Sequence, residues 1–599
     1  MVDTPTADSP REPDISHVNP AEEATWFGHP RQLARLFTTE MWERFGFYGM
    51  RALLTLYLTQ HFLFGDRQAT GLYGGYTALV YLTPLIGGYL ADQYLGSKRA
   101  VKFGAVLMAI GYFTLCFGGE TAKPFATVDG QRYEVAIEKN AEGIETRYVL
   151  DGAKRLAIKG NDDGTVALLG ADGQPERTVA RGAFQSDGER SPFYVTVMLL
   201  ALCLVSVGNG FFKPNISTMV GELYPVGDRR RDTGFTIFYM GINIGSTLSQ
   251  LLCPLLATMV GWWAGFGLAA IGMLASWALI QFDGGRLAGY GESPVKPGQR
   301  DRALGIYAAA LIGVPIFYLL FTNLMNAPDP VAGAGLIGYI IALPLMGKLL
   351  FGTFLIAVPG ILIWSFANGS RVEFQMMLAA MVLIVFNVVF WTLFEQAGSS
   401  LTLYADRNTD LSIFGLFSLS AGQTQFFNAF FIVVFAPIMA AMWTKLAAAG
   451  REPSIPVKFG IALMLVGFGF LFLVFGGRFA GADFKVAIWW LAGLYLIHSV
   501  AELCISPVGL SMITKLSIAR VVGLMMGVWF LSVSVAQYVA GIVAQVASVE
   551  TVGGQVTNLK VSLDTYNGVF WTIGLAATAI GLLLIALSPV IRKWMHGVQ

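Results

Sequence analysis

EMWERFGFYGMRALLTLYLTQHFLF, from Glu40 to Phe64, sets two glutamates and two arginines at the mouth of an otherwise apolar run. Each residue of an α-helix turns the chain by about 100°, so Glu40, Arg44, Phe47 and Arg51, spaced by four, three and four, share one face with Glu43 beside them. Met41, Phe45, Leu53 and Leu56 are left to meet lipid or other helices. A charged stripe on a membrane helix is tolerable only where it lines water or meets partners. Arg51 lies roughly 16 Å beyond Glu40 along such a helix, which argues against the whole stripe snorkelling at one interface.

Composition puts this helix in a membrane. The 599 residues are 55% hydrophobic and 13% charged, whereas a soluble domain carries about 25% charged residues. Mean hydropathy is +0.59. Forty basic against 39 acidic side chains leave a net charge of +1, and no nucleic-acid partner is expected. Cys116, Cys203, Cys253 and Cys504 lie in apolar runs without paired spacing and read as small core hydrophobes. Residues 1–30 are polar with five prolines; they show no cleavable signal peptide and read as a cytoplasmic tail.

A bilayer core takes about 20 apolar residues per helix. That ruler predicts six spans near 36–64, 70–94, 98–118, 192–224, 233–258 and 260–282, then two further helices near 303–325 and 333–365. Six more follow near 375–404, 415–446, 456–476, 486–514, 521–547 and 566–590. The expected organisation is a tail (1–35), a first bundle (36–118 and 192–285) interrupted by an insertion (119–191), two linker helices (286–370) and a second bundle (371–599). Lys and Arg gather at Ser97–Arg99, at Asp228–Asp232, after span six, and around Lys445, Lys515 and Arg592. All fall on one side if both termini are cytoplasmic. The insertion then lies outside; its runs YEVAIEK, TRYVL, RLAIKG and TVALLG, parted by VDG, NDDG and ADG turns, predict a small extracytoplasmic β-meander.

Between spans two and three stands GYLADQYLGSKR, Gly88 to Arg99. It resembles the G-x-x-x-D-plus-basic loop signature of the major facilitator superfamily. The resemblance implies two six-helix bundles around a central cavity, with access alternating as the halves rock.

Other spans carry isolated polar groups: GNGFFKPNIS with Lys213, FYMGINIGS with Tyr239 and Asn243, FWTLFEQAGSS with Glu395, and AELCISPVG with Glu502. Opposite charges on opposite bundles suggest gates that close by pairing and open by exchanging partners. EMWERFGFYG resembles the ExxERFxYYG signature of the proton-dependent oligopeptide transporter family, and FYMGINIGS its FYxxINxGS signature; VYLTPLIGG, FEQAGSSL and AELCISPVGL resemble further family segments. The two extra helices match the bacterial members.

The resemblance implies import of di- and tripeptides together with protons. Arg44, Arg51 and Lys213 would face the peptide carboxylate and Glu502 the amino terminus. Asn243 and Asn428 would bond the peptide backbone, while Tyr48, Tyr81, Tyr239, Trp391 and Trp529 line side-chain space; Ser506 is a further polar candidate. Lys213 with Glu502 and Arg51 with Glu395 would form the gates, and protons would enter through Glu395 and the cluster of Glu40, Glu43 and Arg44. No cofactor is expected, and the functional unit is expected to be a monomer in the inner (plasma) membrane.

Two positions depart from the family pattern. Phe47 replaces the first tyrosine of the signature, and Gly74 stands where animal members carry a histidine, which excludes a histidine-based proton route there. A membrane enzyme would need a reactive constellation, yet no HExxH or GxSxG occurs. A channel would need a repeated ring of charges. The remaining alternative is a transporter of nitrate or another small anion on the same fold, against which an ammonium-binding Glu502 argues.

Overall fold

The computed structural model describes residues 25–139, 145–180, 182–225, 228, 230–295, 300–327 and 335–598. Of the tail expected over residues 1–35, residues 1–24 lie outside the described residues. Helix α1 begins at Gln32, four residues inside the expected tail.

Helices α1 (Gln32–Leu56), α2 (Asp66–Leu90), α3 (Ser97–Leu115), α4 (Pro192–Glu222), α5 (Arg230–Met259) and α6 (Trp262–Gln281) form the first bundle. Its core includes Phe47, Tyr76, Tyr112, Phe212 and Phe266. Gly96, at φ +79, makes the reversal from α2 to α3 that a side chain would strain. Helices α7 (Ala303–Met325), α8 (Gly335–Ala342) and α9 (Leu345–Asn368) follow. The second bundle holds α10 (Arg371–Phe394), α11 (Ser400–Asn408), α12 (Phe426–Ala448), α13 (Ile455–Gly477), α14 (Ile488–Leu516), α15 (Val522–Val546) and α16 (Leu559–Trp594) around Phe390, Tyr404, Phe459, Phe470 and Tyr566. Eleven helical stretches among the described residues are long and apolar enough to cross a membrane.

Three spans differ from expectation. The second linker helix is broken at Pro344, which cannot donate to the preceding turn, so α8 stops at Ala342 and α9 restarts at Leu345. The span expected over 375–404 ends at Phe394; residues Glu395–Gly398 form one tighter turn before α11. The next helix starts at Phe426 rather than near 415, because 412–418 form a short hairpin.

The insertion is a seven-stranded antiparallel sheet: β1 (Lys123–Val128), β2 (Gln131–Lys139), β3 (Glu145–Asp151), β4 (Lys154–Gly160), β5 (Val166–Leu169), β6 (Pro175–Val179) and β7 (Phe184–Glu189). Its spatial order is β6-β5-β4-β3-β2-β1-β7, a meander with the last strand folded back beside the first. Asp129 and Gly130, both at positive φ, make the two-residue turn between β1 and β2. Alternate residues Ala126, Val128, Val135, Val149, Leu156 and Val166 bury a small separate core. A second short hairpin, β8 (Thr551–Val552) with β9 (Gln555–Val556), joins α15 to α16 and places Val552 in that core.

The sheet sits at one end of the bundles. The amide of Ala122, at its base, donates to the carbonyl of His61 beyond α1, and Asn558, capping the start of α16, donates to Gly160 on β4. The start of α1 and the end of α16 therefore share the opposite end.

Candidate functional site

The stripe on α1 is buried along its whole length: Glu40, Glu43, Arg44 and Arg51 are each less than 10% exposed. Arg44 donates through Nη2 to Glu43 Oε1 at 2.6 Å, pairs through Nε with Glu43 Oε2, and stands 3.3 Å from Glu40 Oε1. Asn209 of α4 accepts weakly from Arg44 Nη2 at 3.4 Å. One guanidinium thus serves two carboxylates, and Glu40 Oε2 is buried with no hydrogen-bond partner among the described residues.

Four residues on from Phe47 the environment changes. Arg51 forms an ion pair through Nη2 with Glu395, across the two bundles, and donates through Nε to the hydroxyl of Tyr73 at 2.5 Å. Glu395 can reach Arg51 because α10 ends one residue earlier and the tighter turn points its carboxylate at α1. Just beyond, Thr55 donates to the carbonyl of Gly398 at 2.5 Å. A Cβ at Gly398 would lie 1.7 Å from the Tyr73 hydroxyl, so only glycine lets this seam close.

Lys213 is placed differently from expectation. Its Nζ lies 4.3 Å above the ring of Tyr81 and forms no ion pair among the described residues. The expected pair with Glu502 is therefore open, and α4 and α14 are not packed closely together, whereas α1 meets both the turn at Glu395 and α11. Glu502, from α14, has Tyr239 of α5 and Asn428 of α12 beside its carboxylate, and its Oε2 is buried without a hydrogen-bond partner. Tyr48 lies between the groups, within electrostatic range of Arg44, Arg51, Glu395 and Glu502. Tyr81 is within range of Tyr48, Glu395, Arg51 and Arg44.

The structure thus gathers Glu40, Glu43, Arg44, Tyr48, Arg51, Tyr81, Lys213, Tyr239, Glu395, Asn428 and Glu502 into one region between the halves. Three expected site residues stand apart from its hydrogen bonds, and a fourth, Asn243, bonds to Tyr239. The Asn243 side chain donates to the carbonyl of Tyr239 on its own helix, and Trp391 Nε1 donates to Asn387. Trp529 packs over Gly509 in the second bundle, and Ser506 is half-buried without a hydrogen bond to the cluster.

Gly74, the position of the missing histidine, explains its own identity. A Cβ there would lie 2.7 Å from the Cα of Gly541 on α15, so α2 and α15 touch backbone to backbone and no side chain has room. Sequence reasoning missed Tyr73, Asn209, Asp66 and Arg407. Arg407, at the end of α11, donates to both oxygens of Asp66 at the start of α2, at 2.6 and 2.5 Å, with both side chains at most 1% exposed. In the sequence the pair reads as two charges at the ends of spans, which interfaces tolerate anyway.

Comparison with known proteins places this arrangement. The POT family model matches residues 98–298 and 353–559. The chain belongs to the POT family. It is 30% identical over 580 residues to the uncharacterized transporter YclF of Bacillus subtilis, with 96% of each chain covered. It is also 30% identical to the peptide transporter YePEPT of Yersinia enterocolitica, covering 96% of this chain and 97% of that one. Dipeptide and tripeptide permease A of Salmonella typhimurium is 28% identical, with 95% and 93% covered. Among solved structures, a peptide transporter POT in complex with sulfate superposes with a TM-score of 0.70 at 29% identity, covering 96% of this chain and 98% of that one. The POT chain described here is accordingly a multi-pass membrane protein and a secondary transporter rather than an enzyme.

Proposed function

We propose that this POT transporter imports di- and tripeptides with protons, with the sheet outside and both termini in the cytoplasm of the inner (plasma) membrane. The observation that carries the reading is the pair left open: Lys213 on the first bundle and Glu502 on the second, both half-buried, of opposite sign and unpaired with each other, on either side of Tyr48, Tyr81 and Tyr239. A small peptide is a zwitterion with a fixed carboxylate-to-amine span and variable side chains. Opposite charges on opposite bundles with aromatic walls between them match that cargo, and gripping both ends draws the bundles together. Nitrate has no ammonium for Glu502. Similarity to named peptide transporters supports the same choice.

The proton enters at Glu40 and Glu43. Two buried carboxylates sharing Arg44 leave one negative charge in excess; a proton cancels it and frees Arg44 to turn toward the peptide carboxylate. At the other gate, protonating Glu395 would release Arg51 and let the sheet end open. Arg51, Asn243, Trp391, Ser506 and Trp529 complete the binding region as the halves move, and one chain contains every group used.

In proteoliposomes, an inward proton gradient is expected to drive dialanine accumulation that other dipeptides compete for and nitrate does not. Glu40→Gln and Glu43→Gln are expected to lose uphill accumulation while keeping counterflow exchange. Full uphill accumulation in both variants overturns the proton assignment, and competition by nitrate alone overturns the peptide assignment.

A further inference from the structure

The sheet inserted between α3 and α4 belongs to the first bundle by chain connection, yet it is fastened to the second. On the first-bundle side, Ala122 donates to the carbonyl of His61, the ring of His61 contacts the Gly118 carbonyl and the Thr121 hydroxyl, and the Arg190 guanidinium lies 4.2 Å from the ring of Phe64. On the second-bundle side, four contacts meet β4 and its turn. The amide of Gly160 donates to Thr557 at 3.2 Å, Asn558 Nδ2 donates to Gly160 and to Asp162 at 3.1 Å each, and Lys560 pairs with Asp162 at 2.5 Å. The tip of β8 adds an apolar bond: Val552 is fully buried among the sheet's own valines, leucines and phenylalanine. A sheet that merely decorated a loop would not carry a core residue from the opposite half.

These contacts span the same cleft that Arg51–Glu395 and Asp66–Arg407 close beneath them. If the halves part at this end, as alternating access requires, either the sheet lets go of the β8–β9 hairpin or the end stays shut. We infer that the inserted sheet is a releasable strap: seated on the hairpin it holds the sheet end of the transporter closed, and each transport cycle needs its release. This inference rests on the alternating-access reading above. The materials of the strap suit release. Lys560 and Asp162 are each more than 40% exposed and exchange each other for water at little cost, while the single Val552 and the backbone bonds give it grip.

Geometry supplies a lock. A Cβ on Gly160 would stand 2.9 Å from Thr557 Oγ1, so Gly160→Cys with Thr557→Cys places two thiols within bonding reach. The full chain carrying these changes and a reporter, Thr55→Cys on the seam beneath, is reconstituted in proteoliposomes. Peptide uptake is measured, and labelling at position 55 by an impermeant maleimide is read by mass spectrometry. With the strap disulfide formed, uptake is expected to stop and labelling to fall at least tenfold; reduction restores both. A second lock, Asp162→Cys with Lys560→Cys bridged by a short dithiol-reactive linker, is expected to do the same. Val552→Asp, which loosens the strap, raises labelling severalfold. Locked protein that transports and labels as well as unlocked protein overturns the strap. Unlocked protein that labels freely but accumulates no peptide leaves the strap standing and overturns the substrate reading instead.

Discussion

Replacing Asp66 by asparagine tests whether the ion pair missed in the sequence works as a gate. In the structure Arg407 Nη1 and Nη2 donate to the two oxygens of Asp66, the Tyr566 hydroxyl adds one weaker contact at 3.2 Å, and Arg407 Nε has no hydrogen-bond partner among the described residues. Asparagine offers one acceptor oxygen and turns an amide donor toward the guanidinium, so a fully buried cation loses its ion-pair partner and keeps only the more distant Asp406 as counter-charge. Breaking a buried pair in this way costs about 3–5 kcal/mol. Where the cost falls decides the outcome. If α2 and α11 separate as the sheet end opens, Arg407 becomes hydrated and the open state escapes the penalty, which then weighs on the closed state alone. At about 1.4 kcal/mol per decade, the closed-to-open ratio should drop by about two to three and a half powers of ten. The assay is impermeant-maleimide labelling at Thr55→Cys in the Asp66→Asn background, alongside thermal unfolding. Faster labelling is expected, with the double exchange Asp66→Arg, Arg407→Asp restoring the parental rate. A lowered Tm with unchanged labelling would refute the gate, because the pair would then hold the fold together equally in every state.

Lys213→Ala removes a half-buried cation that has no carboxylate partner among the described residues; peptide affinity should fall by at least about 30-fold, the scale of about 2 kcal/mol for losing one side of a desolvated charge contact, as measured by competition binding. Glu502→Gln should erase the preference for free amino termini, so that N-acetylated dipeptides, poor ligands of the parent, bind as well as unblocked ones. Glu550, in the segment between α15 and β8, has its carboxyl pushed up to about 7 by burial. A raised acid pKa contributes stability below its unfolded value of 4.5 that is lost as pH rises through about 7, so Glu550→Gln should leave Tm unchanged at pH 4 and raise it at pH 8.

Much of this arrangement could be read from the chain because membrane spans are long and their charges rare. Glu40, Arg44 and Arg51 declared one face of one helix by spacing alone, and that face is buried as expected. What escaped was set by contacts distant in sequence. FEQAGSSL shows no proline, and its break at Glu395 is fixed by the close approach of Tyr73 to Gly398. Four strands, β2 to β5, show in the sequence as short apolar-containing runs between turn signals. The last, FQSDGE, is polar apart from Phe184, which is buried in the sheet's core, and it pairs with β1 as the chain returns to α4. Asp66 and Arg407, 341 positions apart, look like two ordinary interfacial charges until the halves come together.

Among the described residues, three ion pairs cross between the halves, Arg51–Glu395, Asp66–Arg407 and Asp162–Lys560, and all lie on the sheet side of Lys213 and Glu502. Their chemistry suits a seal that must open in every cycle. An apolar seam of the same extent would lose about 25 cal/mol for every Å² it exposed, with no return from water. A buried ion pair is close to break-even: its Coulomb attraction largely offsets the hydration its charges gave up, and when water enters, the hydration comes back as the attraction goes. Such pairs impose strict geometry on the closed state at a small net cost of opening. The opposite end has no such pair among the described residues. On the proposed reading, a zwitterionic peptide held between Lys213 and Glu502 would supply both signs there and close the end that lacks a charge pair of its own.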